Sequence, residues 1–239
     1  MPASTPAFLA PECSAWSLTV PRVAEIDLAA ALSLPGWPPT AAATLALHQG
    51  WSPKAEAEFR AGQVWLAATR DALLVFAELS GLPRGTTATA DHERLWERGD
   101  VFEIFLQAFD AGEYFEFQIA PNGCLLQLHY PEAGAPRNAG IERYVRRDRL
   151  LDAAQAINLG ANYWRLAVRV PTGPLLREQL RISGAEWRVA FCRYDYRDDG
   201  RFDLSSTAAL TRADFHRIGE WSRASVPGGF SRSVTPTPP

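Results

Sequence analysis

Residues 101–106 read V-F-E-I-F-L, and residues 113–120 read E-Y-F-E-F-Q-I-A. Asp110-Ala111-Gly112 lies between them and Pro121-Asn122-Gly123 follows the second. In an extended chain successive side chains point to opposite faces. Phe102, Ile104 and Leu106 therefore share one face, and Val101, Glu103 and Phe105 the other. Phe115, Phe117 and Ile119 likewise oppose Glu116, Gln118 and Ala120. Both connections carry the glycine that tight hairpin turns require. Residues 101–109, 113–120 and 124–130 are thus predicted to form three consecutive antiparallel strands. Their apolar sets face a core, and Glu103, Glu116 and Gln118 share the opposite face. That face is either a charged outer surface or the floor of a ligand groove.

The same period of two recurs on both sides of this unit. Residues 44–48, 54–60, 63–70, 72–80, 162–170 and 186–196 alternate, and residues 216–222 are expected to close the sheet. Residues 22–34 suggest a strand followed by a short helix, broken by the Pro- and Gly-rich run 35–39. Residues 174–180, P-L-L-R-E-Q-L, are the clearest helical stretch. About ten short strands with close turns predict an all-β chain, a single antiparallel β-sandwich of immunoglobulin-like or jelly-roll-like kind with one or two short helices. Residues 1–21 read as a poorly ordered leader, 22–228 as the sandwich and 229–239 as a tail.

Composition narrows the function. At 239 residues, 47% of them hydrophobic, the chain can bury a core without disulfide or metal staples. A net charge of −3 leaves no basic excess for nucleic acid or an anionic membrane surface. No apolar run approaches the roughly 20 residues that span a bilayer. The N-terminus lacks the basic and apolar regions of a secretory signal, so the expected compartment is cytoplasmic, or secreted or periplasmic if a signal was trimmed. The three cysteines, Cys13, Cys124 and Cys192, have neither disulfide-framework nor zinc spacing. No nucleophile elbow, zinc-protease motif or P-loop is present, and His48, His92, His129 and His216 are scattered. Residues 195–203 gather Asp195, Asp198, Asp199 and Asp203 around a glycine, as a solvated hairpin tip or as a weak calcium candidate. No other metal or cofactor is implied.

Taken together, L-W-E-R-G-D-V-F-E-I-F-L (residues 95–106) and E-Y-F-E-F-Q-I-A-P-N-G (113–123) resemble the core of family 9 carbohydrate-binding modules and the wider DOMON-like sandwiches. Y-W-R-L-A-V-R-V-P (163–171), W-R-V-A-F-C-R-Y-D (187–195) and D-F-H-R-I-G-E-W (214–221) resemble three further segments of that family, in the same order. The resemblance covers residues 45–224 and implies a sandwich that binds a sugar between two tryptophans. Trp96 matches the first tryptophan, with one extra residue before Asp100. Glu103 and Gln118 fall near positions that bond sugar hydroxyls, with Glu116 beside them. Arg193 is expected on an adjoining strand, within reach of Glu103. The second tryptophan has no counterpart, because residues 205–214 contain no aromatic; Tyr194 or Tyr196 could stand in. Trp51, Trp65, Trp164, Trp187 and Trp221 read as core.

The expected function is non-catalytic binding of a carbohydrate or another small polar ligand. Two alternatives remain open. A haem or redox domain of DOMON-like kind needs axial ligands, and Met1 is the sole methionine. A glycoside hydrolase would use Glu103 and Glu116 as its carboxylate pair.

Overall fold

The alternating segments pair into two sheets packed face to face. The computed structural model describes residues 17–33, 37–38, 40–109, 111–135, 140–158, 161–176 and 185–230. In chain order the elements are β1 (Ser17–Thr19), α1 (Leu28–Ser33), β2 (Ala43–Ala46), β3 (Gly62–Ala68), β4 (Ala72–Ser80), β5 (Val101–Ala108), β6 (Tyr114–Ile119), β7 (Leu125–Tyr130), β8 (Asp152–Asn158), β9 (Tyr163–Pro171), α2 (Thr172–Leu176), β10 (Glu186–Tyr196), β11 (Phe202–Ser206) and β12 (Ser222–Ser225). The first sheet runs β1-β12-β10-β5-β6-β7, with β11 also paired to β10; the second runs β2-β3-β4-β9-β8. All pairings are antiparallel except β1 with β12, which is parallel.

The main core lies between the sheets. Phe102, Ile104, Leu106, Phe117, Val189 and Phe191 of the first sheet meet Val64, Leu66, Val75, Leu79, Trp164 and Leu166 of the second. Each side chain of this size contributes roughly 1.5–3 kcal/mol when fully buried. The faces predicted for residues 101–106 and 113–120 are those observed. The opposite face is not an outer surface. Val101, Phe105, Tyr114, Leu126, Leu128, Ala190 and Cys192 pack there against Leu95, Ile141, Tyr144, Leu210, Phe215, Ile218 and Trp221 from the connecting segments. A third cluster covers the outer side of the second sheet, where Trp37 packs edge-on to Trp65 and Phe76.

Several expectations are corrected. Residues 54–60 form no strand: their alternation sets alanine against Lys54, Glu56 and Glu58, and alanine has too little apolar surface to anchor a strand on a core. The closing strand lies at Ser222–Ser225, and residues 216–221 form a turn that includes the 3-10 segment Ile218–Glu220. β8 carried no signal, being an alanine-rich edge strand. Helix α2 begins earlier than expected, and residues 177–184 lie outside the described residues. β1 falls within the stretch read as a leader, and residues 1–16 lie outside the described ones. Phe230 packs against Trp187, while residues 231–239 of the expected tail lie outside the described residues.

Arg193 lies on the adjoining strand, β10, as expected, but on its other face. Cys192 is the register partner of Glu103, so Arg193 points to the other face, between the sheets. It is fully buried, donating to Ser80 O on β4 (3.0 Å) and to Asp195 Oδ1 (2.9 Å). Arg60 holds the same carboxylate, with Nε 2.7 Å from Oδ2. Arg193 therefore ties the sheets together at one end and does not pair with Glu103. Asp195→Ala would leave a buried guanidinium without its carboxylate, which typically costs about 3–5 kcal/mol. Urea denaturation of that variant is expected to show a loss of this size, and a loss under about 1 kcal/mol would contradict the clamp.

Candidate ligand-binding site

The floor of the site is set by strand register. Glu103 on β5 lies opposite Gln118 on β6 and Cys192 on β10, and Glu116 lies opposite Phe105. Alternation then places Glu103, Glu116 and Gln118 together on the second face. Tyr114 and Tyr130, themselves a register pair, stack at 4.6 Å farther along it.

Three connecting segments close over this floor. The first carries Trp96 in the 3-10 segment Leu95–Glu97. Buried Asp100 anchors its start, accepting N–H groups from Arg84 (2.6 Å), Gly85 (3.1 Å) and Tyr196 (3.1 Å). The preceding Gly99 has φ of 146° and passes so close to Gly85 O that a Cβ would collide with it. Glu93 accepts the N–H groups of Thr89 and Ala90, which lower its pKa. Tyr196 donates its hydroxyl to Trp96 O (2.6 Å). The second segment carries Ile141 and is joined to the first by Arg94 and Glu142 at 2.9 Å. In the third, Glu220 accepts from Arg217 and from the N–H (2.8 Å) and hydroxyl (2.9 Å) of Thr211. These bonds, Arg217 foremost, hold its pKa down at about 2. Trp221 Nε1 donates to Phe215 O (2.7 Å), so Phe215 and His216 are held over the floor.

What remains open is a cavity of about 420 Å³. Glu103, Glu116 and Gln118 form its base; Trp96, Tyr130, Tyr194 and Phe215 supply aromatic surface; Arg94, Asp214 and His216 add polar groups. This is the lower part of the ~300–1,000 Å³ range of small-molecule pockets.

The base is rich in acceptors. Glu103 is 2% exposed and accepts no hydrogen bond from any described residue. Burial, and then the neighbouring Glu116, push its pKa well up. Gln118 Nε2 donates to Glu116 Oε1 (2.5 Å), while Gln118 Oε1 is buried without a partner among the described residues. His216 Nδ1 bonds the Tyr114 hydroxyl (2.9 Å), and its Nε2 lies 3.7 Å from Glu116 Oε2. Burial raises the Cys192 thiol well above its usual range, so it is not a poised nucleophile.

The structure thus brings Trp96, Glu103, Glu116 and Gln118 into one cavity and excludes Arg193. Tyr194 does line it, while Tyr196 supports Trp96 from behind. Tyr130, Phe215 and His216 were not singled out. Tyr130 is in phase with Leu126 and Leu128 and was legible by parity, whereas loop residues leave no periodic trace. The calcium candidates are otherwise employed. Asp195 is held by Arg60 and Arg193, Asp203 by Arg197, Asp199 by Arg201 (2.7 Å) and Asp198 by Arg84 (3.2 Å). No group of three or more His, Cys, Asp or Glu among the described residues is placed to hold a metal ion.

No family profile matches the chain, and no curated protein matches it. Solved structures do. A candidate carbohydrate-binding protein from Bacteroides uniformis superposes with a TM-score of 0.67 at 18% identity, over 89% of this chain and 100% of that one. A family 9 carbohydrate-binding module from Caldicellulosiruptor kristjanssonii, in complex with cellotriose, gives 0.57 at 13% identity over 93% and 100%. The same organism's family 9 module in complex with glucose gives 0.58 at 13% identity over 92% and 100%. The likeness establishes a shared β-sandwich fold.

The buried acid makes stability pH-dependent. Below the ordinary glutamate pKa of about 4.3, Glu103 is protonated both folded and unfolded and carries no penalty. As pH rises, the unfolded chain releases its proton first, so stability falls until the raised folded pKa is passed. Glu103→Gln removes this loss. Its melting temperature is expected to exceed that of the parent near neutral pH and to converge with it near pH ~4. A variant less stable than the parent at neutral pH would refute the uncompensated burial of Glu103.

Proposed function

We propose that the protein is a non-catalytic carbohydrate-binding domain that takes its saccharide into the cavity under Trp96. One observation carries the reading: an aromatic side chain and a row of buried acceptors converge on one small cavity, in a fold shared with modules solved with cellotriose and glucose. Sugars present an apolar C–H face and a rim of hydroxyls, so they need both kinds of surface. Trp96, with Tyr194 and Phe215 in the same wall, offers the apolar surface; Glu103, Glu116 and Gln118 accept from hydroxyls. The aromatic that the sequence lacks before Phe215 is replaced by Phe215 and by Tyr194 from β10.

The carboxylates also argue for binding over hydrolysis. A glycosidase pair flanks the scissile bond from two sides. Glu103 and Glu116 are neighbours on one sheet face, beneath the same side of any ligand. No helix among the described residues is long and apolar enough to cross a membrane.

Titration with glucose, cellobiose and cellotriose, followed by tryptophan fluorescence and calorimetry, is expected to saturate. Trp96→Ala is expected to weaken binding by about 2 kcal/mol, roughly 30-fold. A saturable response left unchanged in that variant would remove the site, and silence with every saccharide would remove the function.

A further inference from the structure

The base of the cavity asks for a positive charge, which neutral sugars do not bring. Glu103 and Gln118 are register partners on adjacent strands and project from the same face. Glu103 has no hydrogen-bond donor among the described residues, and Gln118 Oε1 is buried with none. Two buried acceptors side by side are a standing cost unless a ligand supplies donors. Glu116 beside them adds a second carboxylate, with the Gln118 amide and His216 for neighbours.

Nearby cations are committed elsewhere. Arg94, the arginine lining the cavity, holds Glu142 at 2.9 Å and Glu97 at 3.4 Å. Asp214, also in the wall, adds a further negative group. Aromatic walls favour a cation at the same place, since ring faces attract ammonium groups.

We propose that the preferred ligand is an amino sugar with a free ammonium group, seated between Glu103 and Gln118 Oε1 with its ring against Trp96. The proposal rests on the saccharide-binding reading and narrows it. The ammonium donates to the carboxylate and to the orphan amide oxygen, satisfying both with one group. Its charge offsets Glu103 and Glu116 together, where a hydroxyl would leave two carboxylates buried side by side. Charge-assisted hydrogen bonds are roughly twice as strong as neutral ones, so the preference should be large. In the free protein the groups facing Glu103 are Glu116 on β6, Cys192 and Tyr194 on β10, and His216 and Asp214 on the covering segment, with Arg94 at the mouth. None of these gives Glu103 a cationic partner.

Calorimetry near neutral pH with glucosamine, glucose and N-acetylglucosamine separates the ideas. N-acetylglucosamine places nitrogen at the same carbon without charge. Glucosamine is expected to bind about tenfold or more tightly than either neutral sugar. Glu103→Gln should bring the ratio of glucosamine to glucose affinity to within about twofold, and Gln118→Leu should lower it part of the way. Neutral sugars that bind as well as or better than glucosamine would overturn the amino-sugar proposal and leave saccharide binding standing. Silence with all three sugars would overturn both. A glucosamine preference that survives Glu103→Gln would overturn the assignment of the ammonium to this position.

Discussion

Strands β5, β6 and β10 are buried on both faces, and much of the molecule follows from that constraint. A sheet with one wet face could carry glutamates on it at no cost. Here the second face is roofed by three connecting segments, so whatever polar residue lies beneath them must be bonded, neutralised or used. Most positions answer with apolar residues: Val101, Phe105, Ala190 and Cys192. Glu103, Glu116 and Gln118 interrupt that pattern at adjacent positions, and the roof is open above them. The cavity is where side-chain packing on the second face stops, although the residues at its base stay buried.

Rigidity and variability are divided accordingly. The base is made of paired strands, which fix the spacing of acceptors through backbone ladders. The walls are connecting segments, each tied by its own carboxylate: Asp100 and Glu93 in the first, Glu220 in the third, with the Arg94–Glu142 pair joining first and second. Sites whose side chains are held by a regular scaffold and whose loops are clamped lose little entropy on binding.

The parts legible in the sequence are those governed by period two. Both faces of 101–106 and 113–120 could be read because large aromatic and branched residues alternate with polar ones over several turns of the pattern. Residues 54–60 show the limit, since alternation of alanine with charge has the period without the apolar surface that drives pairing. Arg193 shows a different one. Trp187, Val189 and Phe191 already assigned its face by parity, but an arginine among core residues looks misplaced until Asp195, Ser80 and Arg60 are seen around it. Its carboxylate, Asp195, is two residues along on β10, but Ser80 O comes from β4 and the second arginine on Asp195 from a distant loop, and period carries no information about pairs so far apart in the chain. The same holds for Phe215 and His216, which reach the cavity through a turn.

The aspartates of residues 195–203 make the same point about charge. Read as a cluster, they suggest a cation site; in the fold each faces a guanidinium. The chain holds 23 arginines and a single lysine, Lys54. A planar fork can bond two carboxylate oxygens at once and remains charged when desolvated, which suits Asp195 between Arg60 and Arg193. Against that background the isolation of Glu103 becomes informative. A chain that supplies arginine to acids throughout one end of the sandwich supplies none to the acid at the base of its cavity. The missing partner is therefore sought outside the chain, and the cavity's aromatic walls constrain what form it can take.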